Sequence, residues 1–358
     1  RRWADNAGGA LSFHDIEVAA RHELIDRELA PDFERLIRLA ERVCAPADRD
    51  DLAAELRTLT VGLGRHRTYL PDDAEAARWI STISDGPVAR TLTRPAGDEQ
   101  AELLRRWQPF AHTVVATAQE DRAFHRHLRL AALCEIGGSP DTFAVEPERF
   151  HADNLQRGQG SPRSLLVGST ADTRRSEDVR AQAAATTWRV VDRRFLLPHG
   201  RLATSDHWAD WSRAWADDVV ARADLDLTTV SLVLQTVVSS PGLDPRRLEA
   251  FLVQSARARA IHTCPLAPDA GYERRLAEVA ELAIEQERVS ALGLEAIAPG
   301  ISLAATVLRL TSPGVPEVYR GAEAFSFRLT APDNRVQPDQ DELDRFAADD
   351  RTVDDLWS

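Results

Sequence analysis

Residues 168–182 read GSTADTRRSEDVRAQ. An apolar run, SLLVGS (164–169), leads into small polar residues and then Asp172. Arg174 and Arg175 follow, and Ser-Glu-Asp opens a helical pattern. An acid at the carboxyl end of a strand, just ahead of a helix, is where (β/α) barrel enzymes carry catalytic carboxylates. Position alone gives a second reading, because Asp is also a preferred helix-capping residue. Glu177 and Asp178 stand in a first helical turn, where the helix dipole favours acids without any catalytic role.

The other residue types that carry chemistry are scattered. His125 and His127 are two apart, so on a helix they face different ways and make a poor metal pair. We read them as surface or partly buried histidines. Trp208, Trp211 and Trp215 share one helical face, either as core packing or as a sugar-stacking platform. Cys44, Cys134 and Cys264 lie far apart and match neither a disulfide framework nor a zinc motif. We read them as buried thiols of a reducing, cytoplasmic protein. No glycine-rich dinucleotide, phosphate-loop or zinc signature appears, so neither metal nor cofactor is expected.

The elements that must position Asp172 are mostly helical. Apolar periodicity marks helices over about 14–44, 50–63, 101–111, 120–136, 175–195, 207–222, 243–262 and 269–290. GGSP (137–140) stops the fourth of these. Leu303, Val307 and Leu310 mark one face of a later helix, and 339–348 is a further helical stretch. The loops are SDGPVARTLTRPAGDEQ (84–100), QRGQGSPR (156–163) and LPHGRLATSD (197–206). Three short runs read as buried strands: HTVVATA (112–118), SLLVGS (164–169) and PEVYRG (316–321). Short apolar strands alternating with helices give an α/β fold, helix-rich, with a parallel sheet. Three strands do not close a barrel, which needs eight.

The chain has 358 residues and a net charge of −13, which argues against a nucleic-acid partner. No apolar stretch is long enough to span a bilayer. Every basic residue is arginine, and methionine is absent. The chain lacks an initiator Met and stops at DDLWS, and we read it as a piece of a longer polypeptide.

Four stretches taken in order carry a family resemblance: EDRAFHRHLRLAALCEIGGSP (120–140), GSTADTRRSEDVRA (168–181), QTVVSSPGLDPRRLEAFLVQSARARAIHT (235–263) and LTSPGVPEVYRGAEAFSFRLTAPDNR (310–335). With HRTYL (66–70) upstream, they resemble the carboxy-terminal half of the maltooligosyltrehalose synthases, which are glycoside-hydrolase-clan proteins of the α-amylase type. The resemblance implies the last three (β/α) units of a TIM barrel plus a large helical insertion, with the barrel incomplete in this chain. Residues 1–105 would be a helical region preceding strand six, and 106–196 would carry strands six and seven. Residues 197–300 would be the insertion, and 301–358 strand eight with the following loop and tail.

The implied activity is a (1→4)-α-D-glucan 1-α-D-glucosylmutase of trehalose biosynthesis, which moves the reducing-end link of a maltooligosaccharide from α-1,4 to α,α-1,1. Such transfer uses a carboxylate nucleophile and a carboxylic acid, with no cofactor. Asp172 falls on the clan's third carboxylate, after strand seven. The nucleophile and the acid/base belong after strands four and five, in an amino-terminal barrel half expected in the parent chain. Glu120, Arg174, His262 and Tyr319 are the implied substrate-binding residues, with His262 either a sugar contact or a structural hydrogen bond. Glu177 and Asp178 become expected structural partners of Arg174 or Arg175.

Several positions depart from the family pattern. Ala171 stands where the family has His, Thr117 where it has Lys, and Leu128 and Cys134 where it has Asn. Ala260, Pro265 and Ser326 depart too. Compositional drift accounts for Lys-to-Arg at Arg174 but not for Ala171 or Thr117. Loss of sugar-gripping residues with the scaffold kept is the pattern of a non-catalytic glucan-binding or regulatory pseudoenzyme. A purely structural helical domain is a third reading, because fold alone does not carry function.

Overall fold

The structure is a computed structural model that describes residues 12–44, 46–186, 212, 214–219, 223–287, 298–318, 324–333, 335, 337 and 339–348. The chain divides into two units, Leu11–Arg126 and a second that runs from His127 onward.

The first unit is built from α1 (Phe13–Asp26), α2 (Ala30–Val43), α3 (Arg49–Val61), α4 (Ala74–Ile83), α5 (Pro87–Thr93) and α6 (Asp98–Ala116). A π-helix, Thr117–Ala123, and a last helical turn extend α6. Ser12 opens α1 with a reciprocal capping box, its Oγ accepting from Asp15 N while Asp15 Oδ2 accepts from Ser12 N. Asp48 and Asp73 cap α3 and α4. The continuous 14–44 helix of the sequence reading is two helices, broken at residues 27–29, with Pro31 in the first turn of the second. The 84–100 stretch holds α5. Glu55 caps it across the fold, accepting from Val88 N at 3.0 Å and Ala89 N at 3.0 Å.

Leu52, Leu56, Leu59, Ile80, Leu92, Leu103 and Trp107 form one buried core. Trp107 donates its indole N–H to Thr60 Oγ1 at 3.0 Å inside that core.

HTVVATA is not a strand. Residues 112–116 end α6, and 117–118 begin the π-helix. The residues assigned to strand six are therefore helical. Leu103, Trp107, Phe110, Ala111, Val114 and Ala118 repeat at helical spacing and are all buried. That longer period outweighs the local β-branched pair, whose strand preference is context-dependent.

The second unit contains α7 (Pro147–Gly160), α8 (Glu177–Ala185), α9 (Leu227–Ser239), α10 (Pro245–Arg259), α11 (Ala270–Glu287), α12 (Ala298–Thr311) and α13 (Gln340–Ala347). The loop expected at 156–163 is largely the end of α7. Every residue of α9 from Thr228 to Ser239 is buried, polar ones included, which makes it the central helix, packed by α8, α10 and α11. Gln235 of α9 ties in the chain after His127, accepting from Ala131 N at 2.7 Å and donating to Leu128 O at 3.2 Å. There the expected 120–136 helix gives way after Arg126 to irregular chain and one 3₁₀ turn.

Two strands are present among the described residues, β1 (Leu165–Leu166) and β2 (Val315–Pro316). They pair in parallel, Leu165 opposite Val315 and Leu166 opposite Pro316. The expected strands seven and eight are thus neighbours and parallel, but β2 begins one residue early. Glu317 and Val318 lie outside it, and Tyr319 lies outside the described residues. So do Trp208 and Trp211, while Trp215 is buried. No helix among the described residues is long and apolar enough to cross a membrane.

Candidate active site

β1 delivers the chain to a tight turn. A Cβ at Gly168 would run into the ends of the Glu177 and Arg309 side chains, so a larger residue there would have to displace that ion pair. Ser169 Oγ accepts from Glu177 N at 2.9 Å, and Arg180 donates to Gly168 O. Residues Ala171–Thr173 form one 3₁₀ turn with Asp172 exposed on it. Thr173 Oγ1 accepts from Thr170 N at 3.0 Å and closes the turn on itself.

Arg174 follows at φ 58°, in the left-handed region that costs a non-glycine residue about 1–2 kcal/mol. Its carbonyl accepts from Thr330 N at 2.8 Å and Ala331 N at 3.3 Å, and those bonds hold it there. Arg175 bridges Leu329, and Ser176 N donates to Arg328 O at 2.9 Å. The chain after β2 therefore backs the Asp172 turn hydrogen bond by hydrogen bond. Ser176 also caps α8, its Oγ accepting from Val179 N at 3.4 Å.

Beneath the turn lies a buried ion pair. Arg175 Nη1 donates to Glu135 Oε1 at 3.0 Å, with both side chains almost wholly buried. The guanidinium also lies over the Phe251 ring, 5.1 Å from its centre. Burial pushes the Glu135 carboxyl above its ordinary value, and the nearby Arg175 and Arg180 charges pull against it. Burial likewise raises the neighbouring Cys134 thiol, to about 12, and its Sγ donates to His127 O at 2.9 Å. Leu128 and Cys134, two of the departures from the family's Asn, are therefore apolar core positions here.

Glu177 and Asp178 are structural, as expected, but their partners differ from those expected. Glu177 pairs with Arg309 of α12, while Asp178 takes the Ser302 hydroxyl and the Ser326 N–H, the latter at 2.6 Å. The two acids tie α8 to α12 and to the last loop, leaving Arg175 to Glu135.

The remaining expected site residues stand on separate elements, and Tyr319 lies outside the described residues. Asp172 and Arg174 stand on the same turn. His262, half-exposed beyond the end of α10, stacks on Tyr272 at 4.8 Å and lies 3.3 Å from Asp226 Oδ2. Asp226 caps α9 and takes both terminal nitrogens of Arg259, at 3.0 and 2.9 Å. Burial alone would raise its carboxyl, but the Arg259 hydrogen bonds and charge, with Thr229, bring it down to about 2. Glu120 belongs to the other unit, on the π-helix, with Oε1 3.6 Å from His66 Nδ1. A π-helical turn of this kind is frequent at functional sites. His125 and His127 are more buried than expected, and burial pulls the His127 imidazole down.

Two positioning acids were missed by sequence reasoning. Glu135 carries no pattern that distinguishes it within CEIGG. Asp226 did carry one, since Asp-Leu-Thr-Thr ahead of an apolar run is a helix-start signal.

No family model matches the chain. Two curated relatives from Mycobacterium tuberculosis strains carry the name maltooligosyl trehalose synthase. Each is 29% identical over 338 residues, covering 90% of this chain and 41% of the relative. Among solved structures, the maltooligosyltrehalose synthase from Arthrobacter ramosus matches at 25% identity with a TM-score of 0.79, over 97% of this chain and 45% of that one. A Sulfolobus tokodaii structure matches in fold, with a TM-score of 0.74 at 23% identity, over 94% of this chain and 45% of that one. The chain thus spans less than half the length of the proteins it matches. Along nearly all of its own length it resembles the maltooligosyltrehalose synthases, in sequence and in fold.

Proposed function

We propose that this chain is the carboxy-terminal part of a (1→4)-α-D-glucan 1-α-D-glucosylmutase, in which Asp172 is the third carboxylate of the site. The observation that carries the reading is the placement of Asp172. It is an exposed acid on a rigidly backed turn at the carboxyl end of a parallel strand, in a chain similar to these synthases over 90% of its length. Transfer through a glycosyl-enzyme passes an oxocarbenium-like transition state, and a carboxylate beside the sugar stabilises the positive charge that develops there. The nucleophile and the general acid are supplied by the portion of the relatives outside this match. Arg174, Glu120, His262 and Tyr319 are proposed to bind the maltooligosaccharide.

The departures from the family support a second reading. Methyl at Ala171 in place of imidazole removes a hydrogen bond worth about 0.5–1.5 kcal/mol, and Thr117 removes a cation. Both losses fall where a sugar would be held, which favours a glucan-binding protein that has lost turnover.

One experiment separates the readings. The 358-residue chain, and a full-length protein containing it, are given maltohexaose, and formation of the trehalose end is followed with binding. The mutase reading expects no product from the chain alone. From the full-length protein it expects product that Asp172→Asn abolishes, and an Ala171→His change in kcat/KM of about tenfold per 1.4 kcal/mol. Binding by the full-length protein without product, unchanged by Ala171→His, establishes the second reading.

A further inference from the structure

Helix α10 reaches the Asp172 turn through one side chain. Arg247 stands in its first turn, half-buried, and Asp244 caps the helix by accepting from Arg247 N at 3.1 Å. Arg247 Nη2 donates to Leu329 O at 2.7 Å and to Asp333 O. Both acceptors are main-chain carbonyls, so the guanidinium fixes the path of the backbone from 329 to 333. The other side of that stretch is zipped to the turn. Leu329 lies opposite Arg175 in an antiparallel bridge, Ser176 N donates to Arg328 O, and Thr330 N and Ala331 N donate to Arg174 O. Leu329, Thr330 and Ala331 are all buried. Arg174 is the strained member, at φ 58°. If the loop withdraws, Arg174 loses both bonds to its carbonyl and returns to the right-handed region that non-glycine residues prefer. The chain then changes direction at Arg174, and Asp172, two residues away, leaves its place.

We propose that Arg247 is a positioning residue for Asp172, holding the 329–333 loop against the turn so that Arg174 keeps its left-handed backbone and the carboxylate keeps its place. The proposal rests on the reading of Asp172 as the third carboxylate and deepens it. Guanidinium suits the task, because its planar fork carries several fixed donors and it stays charged at any working pH. Placement matters because a shift of about 1 Å in a catalytic constellation costs about 10²-fold in rate. α10 lies within residues 197–300, the expected helical insertion, so on this proposal the insertion serves the site from behind without touching the sugar.

Hydrogen exchange on the 358-residue chain reads the coupling, and turnover of maltohexaose by a full-length protein containing it reads the consequence. Arg247→Met removes the donors, and Arg247→Lys keeps a charged donor on a similar stem. Arg246→Met, at the exposed neighbouring position, is the control and should change nothing. In Arg247→Met, peptides spanning 328–333 and 170–176 should both exchange at least about tenfold faster, the effect of losing about 1.4 kcal/mol, while peptides from α9 keep their protection. Arg247→Lys should restore most of that protection. In the full-length protein Arg247→Met should lower kcat at least about tenfold, more than it raises KM, because Asp172 acts in the transition state. Its circular dichroism melt should stay close to that of the unaltered protein, and Arg247→Lys should recover most of kcat. Unchanged exchange overturns the proposal, as does faster exchange confined to 328–333 or an equal rise over α9, which marks general destabilisation. A rise in KM with kcat unchanged overturns it too. No product from the unaltered full-length protein counts against the mutase reading alone, and the exchange comparison then decides whether Arg247 holds the turn.

Discussion

Replacing Arg175 by Met leaves Glu135 buried without its partner, and the structure sets the size of the penalty. The pair is 3.0 Å long, with side chains 3% and 4% exposed, so solvent does not screen it. Removing one partner of a buried pair costs about 3–5 kcal/mol when the other must stay charged. Glu135 has an alternative, which is to take up a proton. Burial already raises its carboxyl above the ordinary 4.5. Holding it protonated at pH 7, when the unfolded chain ionises it, costs about 1.4 kcal/mol per pH unit above 4.5, or about 3 kcal/mol. At pH 5.5 the same step costs about 1 kcal/mol.

The sign follows from the raised value. A carboxyl held above its ordinary value contributes most below 4.5, and that contribution declines as pH climbs toward the folded-state value. Loss of the guanidinium from the Phe251 face adds about 1 kcal/mol at either pH.

Arg175→Met should therefore destabilise the second unit by at most about 4 kcal/mol at pH 7 and about 2 kcal/mol at pH 5.5, less the part that the raised carboxyl already costs the unaltered chain. Urea unfolding followed by far-ultraviolet circular dichroism, with the unaltered chain measured at each pH, gives both values. Adding Glu135→Gln should recover most of the loss at pH 7 and little at pH 5.5. An equal loss at the two pH values, or no recovery in the double variant, would refute the argument that a stranded carboxylate is the cause.

Two further outcomes follow from single contacts. Asp226, brought down to about 2 from an ordinary 3.8, contributes about 2 kcal/mol that is present above pH 4 and lost as pH falls from 4 toward 2. In Asp226→Asn that acid-limb slope should flatten, which urea titrations between pH 2.5 and 5 would read. In the first unit, Thr60→Val removes the acceptor of the buried Trp107 indole and should cost about 1–3 kcal/mol, measured as a shift in its urea midpoint.

Much of this protein was legible from the order of its residues. Ser176 announced a helix because its side chain satisfies a backbone N–H within three residues, a local geometry, whereas the helix over Ala74–Ile83 was not read from the sequence. The apolar run at 164–169 and the acid eight residues after Ser164 marked the strand and turn that carry Asp172, and SPGVPEVYRG marked the strand region beside it.

Tertiary structure decided what depends on distant neighbours. Val114 and Val115 read as a strand by themselves, but they are helical because Leu103, Trp107 and Phe110 extend one buried face through them. Glu177 and Asp178 looked toward the adjacent arginines, yet they pair with Arg309 and Ser302 more than 120 positions away. Glu135 reaches Arg175 across 40 positions, and no local pattern encodes such a bond. The stripe at Leu303, Val307 and Leu310 is the clearest case. Periodicity reports that a helix has an apolar face, but only the packing of Ser302 and Arg309 onto α8 shows that the face is turned outward.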